Sequence, residues 1–142
     1  MKSIILFIIT FFIFSCGKKE EILPLSTKIK KVWIPETVKE SGTLVYTKGS
    51  VGNTKTGYSQ FKLDLSSATV AILTELDGNS FTGTWELQSD TKLVLKNLNP
   101  VPSLTTGTIE FTVNSASETV LNISRTSQNP KSGNTLNDYL LK

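Results

Sequence analysis

The side chains able to do chemistry are few, and what is missing narrows the field first. The chain has no histidine and a single cysteine, Cys16. A Ser-His-Asp or Cys-His nucleophile needs an imidazole base. A zinc site needs Cys and His ligands, or His with a carboxylate. Neither can be assembled, and one cysteine forms no intramolecular disulfide. Carboxylates remain. Asp64, Glu75, Glu86 and Glu110 stand on separate alternating segments. A glycosidase pair would need two of them at ~5–9.5 Å, whereas carboxylates spread over the outer faces of strands are solvated. Calcium needs clustered oxygen ligands, and Leu76-Asp77-Gly78-Asn79 offers two in what reads as a tight turn. The sequence therefore gives no catalytic residue, no metal ligand and no cofactor site, and predicts a protein that is not an enzyme. Aromatic surface is what is left. Phe61, Phe81, Trp85 and Phe111 fall on apolar faces, with Tyr46 and Tyr58 at a rim. Such residues line an apolar ligand cavity or fill a core.

The elements that must position them are strands. Phe81, Gly83, Trp85 and Leu87 alternate with Thr82, Thr84, Glu86 and Gln88, the period-two signature of a strand with one wet face. Val70 to Glu75 alternates before it, across an Asp77-Gly78 turn whose glycine supplies the positive φ a hairpin needs. Lys92 to Leu98 follows, with Leu93 and Leu95 inward. Tyr58 to Leu65, Thr108 to Val113 and Thr119 to Arg125 repeat the pattern, and Tyr139 to Leu141 makes a short last strand. Near the start, Lys28 to Ile34 reads as a first strand, or a turn of helix running into one, that Pro35 breaks or bends, Pro35 to Glu40 as a helical turn, and Thr43 to Lys48 as a second strand. Gly49 to Gly57 carries three glycines and reads as a linker or a lid. Eight to nine short strands with short turns predict an all-β antiparallel meander. Closure into a small barrel would remove its exposed edges. Such an interior is filled by side chains or holds one small ligand.

Charge adds exclusions. With 15 basic and 12 acidic residues the chain is net +3, and the charges are scattered singly. Nucleic acid wants a clustered basic face, so no nucleic-acid partner is expected.

The first residues point to the envelope. Met1-Lys2-Ser3 is a basic start and Ile4 to Phe14 is apolar but for one threonine. That run is shorter than the ~20 residues a transmembrane helix needs and fits a secretory signal. Ile13-Phe14-Ser15-Cys16 resembles the bacterial lipobox. The resemblance implies a signal peptide over residues 1–15, a lipidated tether over 16–26 and a folded domain over 27–142. Cys16 would become the first mature residue and carry lipid, palmitate-like acyl chains, on its sulfur and amine. Two or more chains anchor firmly, so the expected partner is the membrane and the expected place the bacterial outer membrane. Lys19-Glu20-Glu21 looks like the lysine-plus-acidic export signal of surface lipoproteins in Bacteroidetes-type bacteria, which would put the protein on the cell surface. A solvated tether explains the same residues.

The body resembles the lipocalin-like (calycin-type) lipoproteins of that bacterial group. The resemblance is carried by YSQFKLDL (58–65), ELDGNSFTGTWEL (75–87), KLVLKNL (92–98), TGTIEF (106–111) and NPKSGNTLNDYL (129–140). It implies a small calycin-type barrel and, by analogy, a small hydrophobic ligand held by Tyr46, Tyr58, Phe61, Phe81, Trp85 and Phe111. The alternative is a solid barrel acting as an accessory module that contacts another envelope protein or a glycan. Lipocalins carry Gly-x-Trp on the first strand. Here that strand has Lys31-Val32-Trp33, and Gly83-Thr84-Trp85 lies mid-chain. Lipocalins also stack a late-strand arginine on the first-strand tryptophan. Arg125, the sole arginine, is expected to cover Trp33.

Overall fold

The computed structural model describes residues 23–142. The signal-like run, Cys16 and most of the expected tether lie outside the described residues. The fold opens with a one-turn helix α1, Leu25–Lys28, which straddles the expected tether boundary. Leu25 packs against the core and Ile29 is buried. Ten strands follow: β1 Val32–Trp33, β2 Pro35–Glu40, β3 Thr43–Thr47, β4 Lys62–Asp64, β5 Val70–Thr74, β6 Ser80–Ser89, β7 Lys92–Asn99, β8 Ile109–Ala116, β9 Leu121–Arg125 and β10 Asn137–Leu141.

All pairings are antiparallel, in the order β1-β4-β5-β6-β7-β8-β9-β10-β2-β3. Since β1 and β2 are consecutive pieces of one segment, interrupted only at Ile34, this order returns to where it began. Ile34 itself exchanges backbone hydrogen bonds with Lys142 (3.0 and 2.9 Å). The expected lipocalin-like all-β architecture is therefore present, with ten strands where eight to nine were expected. At one flank two short strands share a position, β3 beside β2 and β4 beside β1. There the free edge of β3 bonds to the following loop instead of a strand: Lys55 N–H donates to Val45 O (3.2 Å) and Thr47 N–H to Asn53 Oδ1 (2.7 Å).

Two local expectations are corrected. Pro35 to Glu40 is a strand, not a helical turn, because Pro35, Val38 and Glu40 are buried and proline is tolerated at a strand's first residue. Tyr58 to Leu65 is not one strand. Thr56–Gln60 forms a short 3-10 helix and only Lys62–Asp64 is β. The helix seats tightly, since a Cβ on Gly57 would collide with the Leu76 carbonyl.

The Asp77-Gly78 turn joins β5 to β6 as expected, with Gly78 at φ +81°. Gly83 is glycine for a packing reason. A Cβ there would overlap the Lys96 carbonyl on β7, and the β6–β7 register shifts at the same place.

Candidate functional site

Inward positions are set by strand alternation. Phe81 and Trp85 on β6, Phe111 on β8, Tyr46 on β3 and Phe61 just before β4 all face the core and are buried. Tyr58 is not at a rim. The 3-10 helix drives it fully inside, and Tyr46 is buried too. Tyr139 on β10, absent from the sequence-derived set, is the hub. Phe61 stacks on it at 4.6 Å between ring centroids, and Tyr58 and Phe111 meet it edge-on at 6.3 Å. Tyr46 reaches Tyr58 at 6.2 Å. These spacings are direct aromatic contact, so four of the six expected ligand-binding side chains touch another ring of this cluster. Phe81 and Trp85 are buried without a place in it.

The end of the barrel near α1 is apolar, and its polar atoms are satisfied by backbone. The Trp33 indole N–H donates to Ile29 O (2.8 Å) and that of Trp85 to Ser67 O (3.0 Å). The expected Arg125–Trp33 contact is corrected. The cation over Trp33 is Lys31, with Nζ 4.5 Å from the ring centroid. Arg125 follows Ser124, which is level with Asp138 and so with Lys39. The Arg125 side chain is taken up by Glu75.

The opposite mouth is polar throughout. Arg125 Nη1 donates to Glu75 Oε1 at 3.0 Å, with the two side chains 2% and 3% exposed. Among the described residues, Glu75 Oε2 and Arg125 Nε have no hydrogen-bond partner. Glu75 was expected on a solvated outer face. It is instead in phase with the buried Ala71 and Leu73, and Arg125 with Leu121 and Ile123. Beside the pair, Tyr58 Oη donates to Glu40 Oε1 (2.8 Å), and Asn137 Nδ2 donates to Tyr58 Oη (2.7 Å). Ser132 Oγ donates to Asn137 Oδ1 (3.1 Å). Burial pushes the Tyr58 hydroxyl well above the ordinary range, helped by Tyr139 and Glu40. Burial likewise raises Tyr139, with Glu75 adding and Arg125 opposing. Both phenols stay protonated and serve as hydrogen-bonding groups.

The other carboxylates have ordinary explanations. Glu86 pairs with Lys96, and Glu110 with Lys92 (3.1 Å). Asp64 caps Ser66 through its N–H and Oγ. Asp77 pairs with Lys131 across the mouth and accepts from Asn79 (3.1 Å). Gly49 to Gly57 lies along β3 and delivers Tyr58 and Phe61 to the interior.

A concavity of about 320 Å³ opens on the outside of the barrel, across β2, β10, β9 and β8. Its lining is Thr37, Lys39, Asn114, Asn122, Asp138, the buried Tyr139 and Leu140. Nothing in the strand alternation marks it.

Comparison with known proteins supports the fold. The chain is similar to the crystal structure of a lipocalin-like protein from Bacteroides uniformis, with a TM-score of 0.51 and 12% identity over 81% of this chain and 97% of that one. An uncharacterized protein from Bacteroides eggerthii is more distantly similar, at a TM-score of 0.45 and 11% identity over 78% and 95% of the two chains. No protein-family model and no curated protein matches.

Proposed function

We propose that this is a lipid-anchored envelope protein that works by contact through its outer surface, a non-enzymatic module for another envelope protein or a glycan. One observation carries the reading. The aromatics that would line an internal ligand site interlock with Tyr139 and Tyr58 and are buried, whereas the 320 Å³ concavity is on the outside. Sites for apolar ligands are concave and mostly apolar. The interior aromatics contact one another, and the outer concavity is open and polar. Anchoring rests on Cys16 and its lipobox-like context, and outer-membrane placement on the same residues.

The second reading is a small hydrophobic ligand inside the barrel. It has the lipocalin-like fold on its side, and fold is a weak warrant for function. Native mass spectrometry of protein isolated from its own membrane separates the two. The contact reading expects the mass of the acylated polypeptide alone, and a stoichiometric apolar adduct would overturn it. The anchor is tested by Cys16→Ala, which should move the protein from the membrane fraction to the soluble fraction.

A further inference from the structure

The outward face of a barrel is ordinarily convex, so the concavity over β2, β10, β9 and β8 needs a cause. Asn114 is that cause on one side. The β8–β9 register shifts between Val113 and Ser115, which makes Asn114 the extra residue of a bulge, a device that re-aims a side chain. Its amide reaches over β9, donating to Ser124 Oγ (2.8 Å) and Asn122 Oδ1 (3.2 Å). Ser124 Oγ in turn donates to Asp138 Oδ1 on β10 (2.6 Å). One row of hydrogen bonds thus crosses three strands and fixes the floor. On the far wall Lys39 is the cross-strand partner of Asp138. Among the described residues it nonetheless takes part in no ion pair, so its ammonium is available to a ligand.

We infer that this groove binds a neutral saccharide chain, an inference that rests on the contact-module reading and names its partner. The lining decides the class. Its two charges, Lys39 and Asp138, cancel, which disfavours a polyanion. Leu140 is its one large apolar outward side chain, which disfavours a lipid or an apolar small molecule. It offers no exposed Trp, Tyr or Arg, the anchors of protein–protein hot spots. What it does offer is amides that donate and accept, a carboxylate that accepts, an ammonium that donates and the Thr37 hydroxyl that does both. Sugar hydroxyls, each donor and acceptor, match that set. A volume near 320 Å³ is at the small end of ligand sites.

The test is proton–nitrogen correlation NMR on the whole isotope-labelled protein. The probes are maltohexaose, cellohexaose, xylohexaose and N-acetylchitohexaose, each at roughly 10 mM, enough to saturate a millimolar site. At least one sugar should shift the side-chain amides of Asn114 and Asn122 and the backbone amides of Lys39 and Leu140, saturably, with the Trp33 and Trp85 indoles unmoved. Asn114→Ala should weaken that binding about tenfold, the size of one hydrogen-bonding side chain. Gln88→Ala, on the outer face of β6, should leave it unchanged. A groove silent to all the sugars, or shifts that survive Asn114→Ala, would overturn the saccharide assignment alone. Movement of the two indoles in place of the groove would overturn the contact-module reading as well.

Discussion

The two ends of the barrel are built on opposite terms. Near α1 the interior is tryptophan and aliphatic side chains, and its polar atoms bond to backbone carbonyls. At the far mouth Glu40, Glu75, Arg125, Asn129, Ser132 and Asn137 are all buried and bond to one another or to the tyrosines. An apolar end tolerates substitution in proportion to lost area and cavity. A buried polar end depends on completeness, because a group left without its partner carries the full desolvation penalty. The mouth is thus the more brittle half of the molecule, although the same strands supply both.

That contrast can be broken in several ways. Arg125→Met leaves the Glu75 carboxylate buried and alone, and should destabilise by about 3–5 kcal/mol in urea unfolding. Adding Glu75→Leu should restore most of the loss, as replacing both members of a buried ion pair commonly does. If the single substitution is neutral, the mouth is not brittle. Tyr58→Phe keeps the ring but unties Glu40 from Asn137, and should cost about 1–3 kcal/mol. Trp33→Phe at the other end frees only a backbone carbonyl and should cost less beyond its lost area.

High pH should act on the polar half. Tyr58 and Tyr139 titrate above the ordinary tyrosine value of 10.0 when folded, so the unfolded chain releases their protons first. Their contribution is intact below pH 10 and is lost as pH rises further, by about 1.4 kcal/mol per pH unit for each buried phenol. Urea midpoints measured either side of pH 10 should fall, and Tyr58→Phe should halve the slope.

Asp77 gives the smallest effect. Partial burial raises its carboxyl, but the Lys131 hydrogen bond and charge and the Asn79 backbone hydrogen bond outweigh that and hold it below the ordinary 3.8. The stability it adds is present above that value and lost as pH falls through the lower folded one. Asp77→Asn should cost less than about 1 kcal/mol at neutral pH, as for a partly exposed pair, and nothing at strongly acid pH.

Most of the fold was legible in the sequence. The β5–β6 hairpin followed from alternation and the Asp77-Gly78 turn, and the barrel from the regular spacing of strands. The candidate site was legible only in part. Phe61, Phe81, Trp85 and Phe111 were assignable inward by phase, but Tyr46 and Tyr58 were expected at a rim and are buried; Tyr58 belongs to a 3-10 helix whose depth is set by tertiary contact at Gly57. Glu75 and Arg125 were in phase with their apolar neighbours. The signal for a buried pair was therefore present, and the habit of placing charges outside hid it. The pairing of Arg125 with Glu75 over Trp33 could not be read, because the contact joins residues fifty positions apart. The outer groove depends on a bulge at Asn114, and bulges leave no mark in a period-two pattern.

The core aromatics of this barrel pack on one another and not on a guest. The two tryptophans, Trp33 and Trp85, both belong to the buried core and report on it by fluorescence. Titration of the whole protein with a long-chain fatty acid should leave their emission maximum and intensity unchanged up to the solubility limit of the acid. A saturable, one-to-one change in either would mean that the interior opens to an apolar guest, and would contradict the account.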